Sequence, residues 1–134
     1  MTRLFVILSF VYCTVLSAAQ SSSSIQSSPD SQFIYTANFD AGSLTRSKRG
    51  QHQDTQDFKE VNLGQDIRRL AMSADGKLLA ATDYLDDRIY LLDARSLKLV
   101  KTIDTGRRPF ALVYDARNEL FWCTLFEANK LIAF

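Results

Sequence analysis

Apolar positions between residues 33 and 134 fall in short runs broken every few residues by Gly, Asp, Asn or Ser. Outside the amino terminus no segment keeps a helical spacing. The runs are rich in β-branched and aromatic side chains and predict strands over residues 33–39, 58–63, 68–73, 77–82, 88–93, 97–103, 110–114, 120–126 and 130–134. Asp75-Gly76, between two of them, predicts a tight hairpin turn of the primed type. In Arg88-Ile89-Tyr90-Leu91-Leu92-Asp93 apolar residues follow one another without alternation, which predicts a strand covered by neighbouring sheets on both faces.

The runs repeat. Residues 71–84 align with residues 113–126 at a period of 42 without a gap. Lys59 matches Lys101, Gly64 Gly106, Leu70 Leu112, Ala74 Ala116, Leu78 Leu120 and Thr82 Thr124, while Tyr84 falls on Phe126 and Ile89 on Leu131. Residues 33–39 join the repeat when the offset widens to 45, and the three extra residues fall in the polar stretch 46–57, read as a lengthened loop. A period near 40 with four short strands per unit is the mark of propeller blades. The fold class is therefore all-β: blades of four antiparallel strands, about two and a half of them, with three, four and three strands in order. A toroid closes with about four to eight blades, so 134 residues form an incomplete one. Three explanations stand: the amino-terminal piece of a longer propeller, a ring assembled from copies, or an open array. The missing inner strand before Phe33 and the unfinished last unit favour the first.

The amino terminus changes the compartment rather than the fold. Residues 1–19 read as a secretory signal, with Arg3, an apolar run over 4–16, and Ser17-Ala18-Ala19 before a cleavage site preceding Gln20. The run is too short to span a bilayer, so no stable membrane insertion is expected after cleavage, and the product is secreted, or periplasmic if bacterial. Residues 20–32 are nearly all Ser and Gln and are expected to form a flexible leader, leaving 33–134 as the partial propeller. Losing Arg3 takes the 16 basic residues to 15, equal to the 15 acidic ones, which argues against a nucleic-acid partner. Cys13 departs with the signal and Cys123 remains, in an apolar strand where a buried thiol is expected and no disulfide can form within the chain.

Residues 33–39, Phe-Ile-Tyr-Thr-Ala-Asn-Phe, and residues 88–115, which include Gly106-Arg107-Arg108-Pro109, resemble the YVTN-type repeat of seven-bladed quinoprotein- and lactonase-like propellers. In that repeat a Gly-x-x-Pro turn leads into the innermost strand. The resemblance covers about residues 33–134 and departs at Leu44-Thr45-Arg46, leaving the third strand of the first unit in doubt, and at Ile67, where Pro is expected. It implies a secreted propeller that acts as a non-catalytic binding or interaction surface. The alternative is a fragment of a propeller enzyme, a lactonase or quinoprotein-type dehydrogenase, whose catalytic groups come from several blades.

Candidate chemistry is sparse. No catalytic residue, cofactor or transition-metal set is indicated, since His52 is the only histidine. Arg68, Arg69, Arg107 and Arg108 lie at turns feeding innermost strands, where in a propeller they ring the channel mouth. There they would hold a small anionic ligand through forked hydrogen bonds, or else serve as solvated turn residues paired with Asp66 and Asp104. Asp83, Asp86 and Asp87 form an acidic turn that lacks the Gly and Glu of a dedicated calcium loop. Arg46-Ser47-Lys48-Arg49 matches the pattern cut by furin-like secretory proteases, at Arg46, Lys48 and Arg49. Partners expected are a protein or a small anion, together with self-association through open blade edges.

Overall fold

A computed structural model describes residues 21–50 and 58–134 of the chain. Residues 1–19, read as a secretory signal, and His52 lie outside the described residues. Three antiparallel sheets follow one another along the chain, each strand pairing with its neighbour in sequence. The first holds β1 (Ser24–Ser27), β2 (Phe33–Asn38), β3 (Ser43–Lys48) and β4 (Lys59–Asn62). The second holds β5 (Ile67–Met72), β6 (Leu78–Asp83), β7 (Arg88–Asp93) and β8 (Leu99–Asp104). The third holds β9 (Pro109–Asp115), β10 (Leu120–Leu125) and β11 (Lys130–Ala133), with a 3-10 turn at Phe126–Ala128. The described strands therefore number four, four and three per sheet, not three, four and three.

The difference lies in the Ser-rich segment, where a flexible leader was expected. Ser24–Ser27 pairs with β2 from Ser24 opposite Ala37 to Ser27 opposite Ile34. Ser23 Oγ donates to the Arg68 carbonyl at 2.7 Å, and Ser24 Oγ accepts from the Leu70 amide at 3.3 Å. An innermost strand has one edge without a ladder partner, and hydroxyls on a neighbouring strand satisfy the backbone groups left there. Serine suits that position although it has little to bury.

The connection from β1 to β2 copies the one from β5 to β6. Ser28 Oγ bonds Asp30 and the Phe33 amide as Ser73 Oγ bonds Asp75 and the Leu78 amide, the amide bonds being 2.9 Å in both. Asp75-Gly76 is not a primed two-residue turn. Residues 73–77 separate the strands, the Gly76 amide bonds the Ser73 carbonyl at 2.9 Å, and only Gly76 takes positive φ, at 71°. The Ser73 and Asp75 side chains organise the wider loop.

Strand β3, in doubt from its sequence, pairs with β2 at six positions and with β4 at four. It runs to Lys48, so the first part of the stretch read as a lengthened loop is strand, while residues 51–57 of that stretch lie outside the described residues. Leu44 supplies its core contact, and Arg46 covers the next position by lying over the Phe33 ring at 4.7 Å while donating to the Arg95 carbonyl.

Two cores hold the sheets together. Tyr35, Ala37 and Leu44 of the first sheet pack against Leu79, Ala81, Tyr90 and Leu92 of the second. On the other face, Ala71, Ala80 and Ile89 pack against Phe121, Cys123 and Leu125 of the third. The second sheet is thus covered on both sides, as the unbroken apolar run of β7 predicts. Full burial of Leu79, Ile89 and Leu92 contributes about 1.5–3 kcal/mol each.

The repeated threonines share one task. A bulge between Ile67 and Arg69 is met by Thr82 Oγ1, which accepts the Arg69 amide at 3.1 Å. In the third sheet the bulge between Cys123 and Leu125 is met by Thr124 Oγ1, which accepts the Ala111 amide at 3.0 Å. Ile67, where Pro was expected, is fully buried at the position taken by Pro109 in the next unit.

Candidate functional site

The turns that start β5 and β9 and those that end β6 and β10 lie at one end of the sheets. Their register brings together four of the residues singled out from sequence. Their placement depends on Asp83. This fully buried carboxylate accepts the amides of Gln65, Asp66, Leu85 and Asp86 at 2.9–3.2 Å, tying the β4–β5 connection to the β6–β7 turn. Gly64 lies against it, and a Cβ there would overlap Asp83 Oδ2. Asp87 spans the next junction: its carboxylate accepts the Arg108 amide at 2.7 Å and its carbonyl the Thr105 amide at 2.8 Å. Asp83 and Asp87 are thus structural acceptors, and among the described residues no group of side chains is arranged to hold a metal ion.

On this frame Asp66, itself buried, grips Arg68 through three contacts of 2.7–3.0 Å. Those bonds hold the guanidinium above its ordinary pKa. Arg68 lies over the Tyr84 ring at 4.1 Å, and Arg108 reaches the same ring at 5.1 Å while donating to the Tyr84 carbonyl and to Glu127. Arg69 lies over Phe110 at 5.2 Å and donates to the Ser23 carbonyl, touching the first and third sheets from the second. Tyr84, Phe110 and Phe126 form a triangle with centroids 5.9–6.4 Å apart, and Phe126 is largely exposed. Stacking of this kind is worth about 0.5–2 kcal/mol per cation–ring pair.

Arg107 differs from the other three. It is exposed and, among the described residues, makes no hydrogen bond or ion pair. It lines an open cavity of about 440 Å³ with Thr105, Gly106, Leu125, Glu127, Ala128 and Lys130. The four arginines therefore divide into three held in an aromatic frame and one exposed in an open cavity. Of the acidic groups they were expected to pair with, Asp66 does so, whereas Asp104 pairs with Arg88 at 2.9 Å. Tyr84 and Glu127 were not singled out as site residues; the match of Tyr84 to Phe126 at the 42-residue period marks the aromatic positions.

The remaining candidates lie elsewhere. Arg46 and Lys48 are inside β3, with Arg49 just after it, so a protease engaging this stretch would have to free a strand paired on both sides. Cys123 is buried, and desolvation raises its thiol pKa to about 11, leaving it protonated and inert at neutral pH.

A family model described as the cytochrome D1 heme domain matches residues 14–132. The chain belongs to the cytochrome D1 heme domain family. Among solved structures it is similar to the dihydro-heme d1 dehydrogenase NirN in complex with DHE, at 29% identity and a TM-score of 0.71, covering 81% of this chain and 24% of that one. It also resembles the WD40 repeats of RRP9, at 18% identity and a TM-score of 0.67, over 84% of this chain and 37% of that one. U3-55K gives 18% identity and 0.67 over 85% and 39%. The last two show a β-propeller fold alone. The chain spans about a quarter to two fifths of the length of these structures. No curated protein matches it. Among the described residues no helix is long and apolar enough to cross a membrane.

Proposed function

We propose that this cytochrome D1-type chain forms part of the wall of a propeller that holds a carboxylate-bearing tetrapyrrole of the heme d1 class at its mouth. The observation that carries the reading is Arg107, exposed beside Lys130 in the mouth cavity of a chain whose family is defined by a heme domain. Such a group, when bound, supplies redox chemistry through its ring and metal. The described residues fit its acidic edge: Arg107 and Lys130 offer charged donors to carboxylates, and Phe126 offers an exposed apolar surface. They offer its metal neither of the two commonest side-chain ligands, an imidazole or an accessible thiolate. Among them there is no histidine, and Cys123 is a buried thiol. The chain's part is to bind and orient, as one portion of a propeller enzyme of the kind its similarity to NirN suggests.

This reading favours the enzyme-fragment alternative over a surface without catalysis. The finer resemblance to YVTN-type units, and secretion through residues 1–19, belong to the same proposal; the Gly106-to-Pro109 turn supports the former and the small residues before Gln20 the latter. The test is an absorbance titration of the folded chain with a d1-type heme. Saturable binding is expected, weakened about tenfold in Arg107→Ala by loss of one charge-assisted hydrogen bond of about 1.5 kcal/mol. Equal affinity in the two proteins, or no binding, overturns it.

A further inference from the structure

At the end of the sheets away from the mouth arginines, the first and second sheets border a cavity of about 440 Å³. Its walls come from the β1–β2 and β5–β6 loops and the β7–β8 turn. A Cβ at Gly76 would lie 2.9 Å from the Pro29 ring, so the two loops are in contact. Both sheets have all four strands among the described residues, and the cavity needs no further blade to form.

Tyr35 lines the cavity and is only 2% exposed, yet its hydroxyl makes no hydrogen bond among the described residues. Asp30, Asp93 and Arg95 stand on the cavity wall, and their charges act on that hydroxyl. Burial raises the phenol pKa, so the group is a neutral O–H that both donates and accepts. Left without a partner, a buried hydroxyl costs free energy that a bound molecule would recover. Packing does not call for it. At the next junction Ala80 holds the repeat position of Tyr35, whereas the loop pair Ser28 and Asp30 persists as Ser73 and Asp75. Opposite Tyr35 in the β2–β3 ladder, Arg46 lies over the Phe33 ring and keeps a buried Nε without an acceptor.

The chemistry of the wall selects the ligand class. Lys77 is taken up by Asp75 at 3.2 Å. Hydroxyl bonds from Ser28 and Ser96 hold Asp30 and Asp93 below the usual carboxylate range, so both are anions at neutral pH, while Arg95 offers an exposed guanidinium. An anionic ligand would meet the two carboxylates, and a cationic one would meet Arg95 and Arg46. A neutral ligand whose hydroxyls donate and accept satisfies all of them, and Phe33 adds an apolar surface for the C–H face of a ring.

We propose that this cavity is a saccharide-binding site, in which the Tyr35 hydroxyl, the Asp30 and Asp93 carboxylates and the Arg95 guanidinium share the hydroxyls of a mono- or disaccharide. The site lies apart from the tetrapyrrole mouth, and its test contains no heme.

Amide chemical shifts of the isotope-labelled full chain would be followed while D-glucose, D-galactose, D-mannose, maltose or cellobiose is added. At least one sugar is expected to give saturable shifts at the amides of Gln32, Lys77 and Arg95. Tyr35→Phe, which keeps the ring, and Arg95→Ala, which keeps the carbonyl that Arg46 uses, should each weaken that binding about tenfold through loss of one hydrogen bond, with an unchanged far-ultraviolet circular dichroism spectrum. No saturable shift with any of these sugars overturns the proposal. So do shifts confined to other amides, equal affinity in both variants, or tighter binding of putrescine or acetate at the same amides.

Discussion

Asp83 concentrates more structural consequence than any other side chain of the mouth. Four amides point at one buried carboxylate, and two of them set the course of the chain toward Asp66 and so toward Arg68. Asp83→Ala leaves those donors buried with no acceptor and should lower the unfolding free energy by about 3 kcal/mol, read as a shift in a urea transition. Asp83→Asn keeps one carbonyl acceptor and should lose less. An acidic run in a turn suggests solvation or a cation, and residue types alone separate neither from an amide acceptor. The distinguishing feature is the adjacent glycine: Gly64 is required because the carboxylate fills the space its side chain would take. Arg107 is the reverse case. Its neighbours in the Gly-x-x-Pro turn marked the site from sequence, but only the fold separates it from Arg68, Arg69 and Arg108, whose guanidinium groups are already engaged.

At the scale of elements, most strands were legible because period-two and continuous apolar runs follow from how much of each face is covered. Strand β7 came out with the same limits, Arg88–Asp93. Strand β1 escaped because its stability comes from its edges rather than from buried apolar surface. The signal was nevertheless present. Carrying the 45-residue offset back from Phe33 places Ser28 on Ser73 and Asp30 on Asp75, two side chains that organise the same loop in both sheets. Ser23→Ala with Ser24→Ala should therefore lower stability by about 1–2 kcal/mol, measured by urea denaturation, although both residues sit in a segment of disordered composition. No change would mean that the bridges to β5 contribute nothing. Strand β3 shows the converse. Its polar sequence hides a central strand, since Leu44 alone enters the core and ladder pairing on both edges supplies the rest.

For the whole molecule, the double coverage of the second sheet ranks the local stabilities. Amide hydrogen exchange should be slowest in β6 and β7, which are paired on both edges and packed on both faces. It should be fastest in β4, β8 and β11, which close the outer edges. Equal protection of β8 and β6 would contradict this layering. The propeller architecture was readable from the 42-residue period, whereas the heme family was not, because the only histidine is His52 in a polar stretch and Cys123 stands in an apolar strand, so no residue pattern marked a heme ligand.

Strand order carries one more consequence, which concerns synthesis. Every ladder joins strands adjacent in the chain, so each sheet can zip as it leaves the ribosome without waiting for a distant partner. The first sheet, however, emerges with Tyr35 and Leu44 uncovered until β6 and β7 follow. For the time taken to translate about fifty residues, the nascent chain offers an unprotected apolar surface that a chaperone could hold.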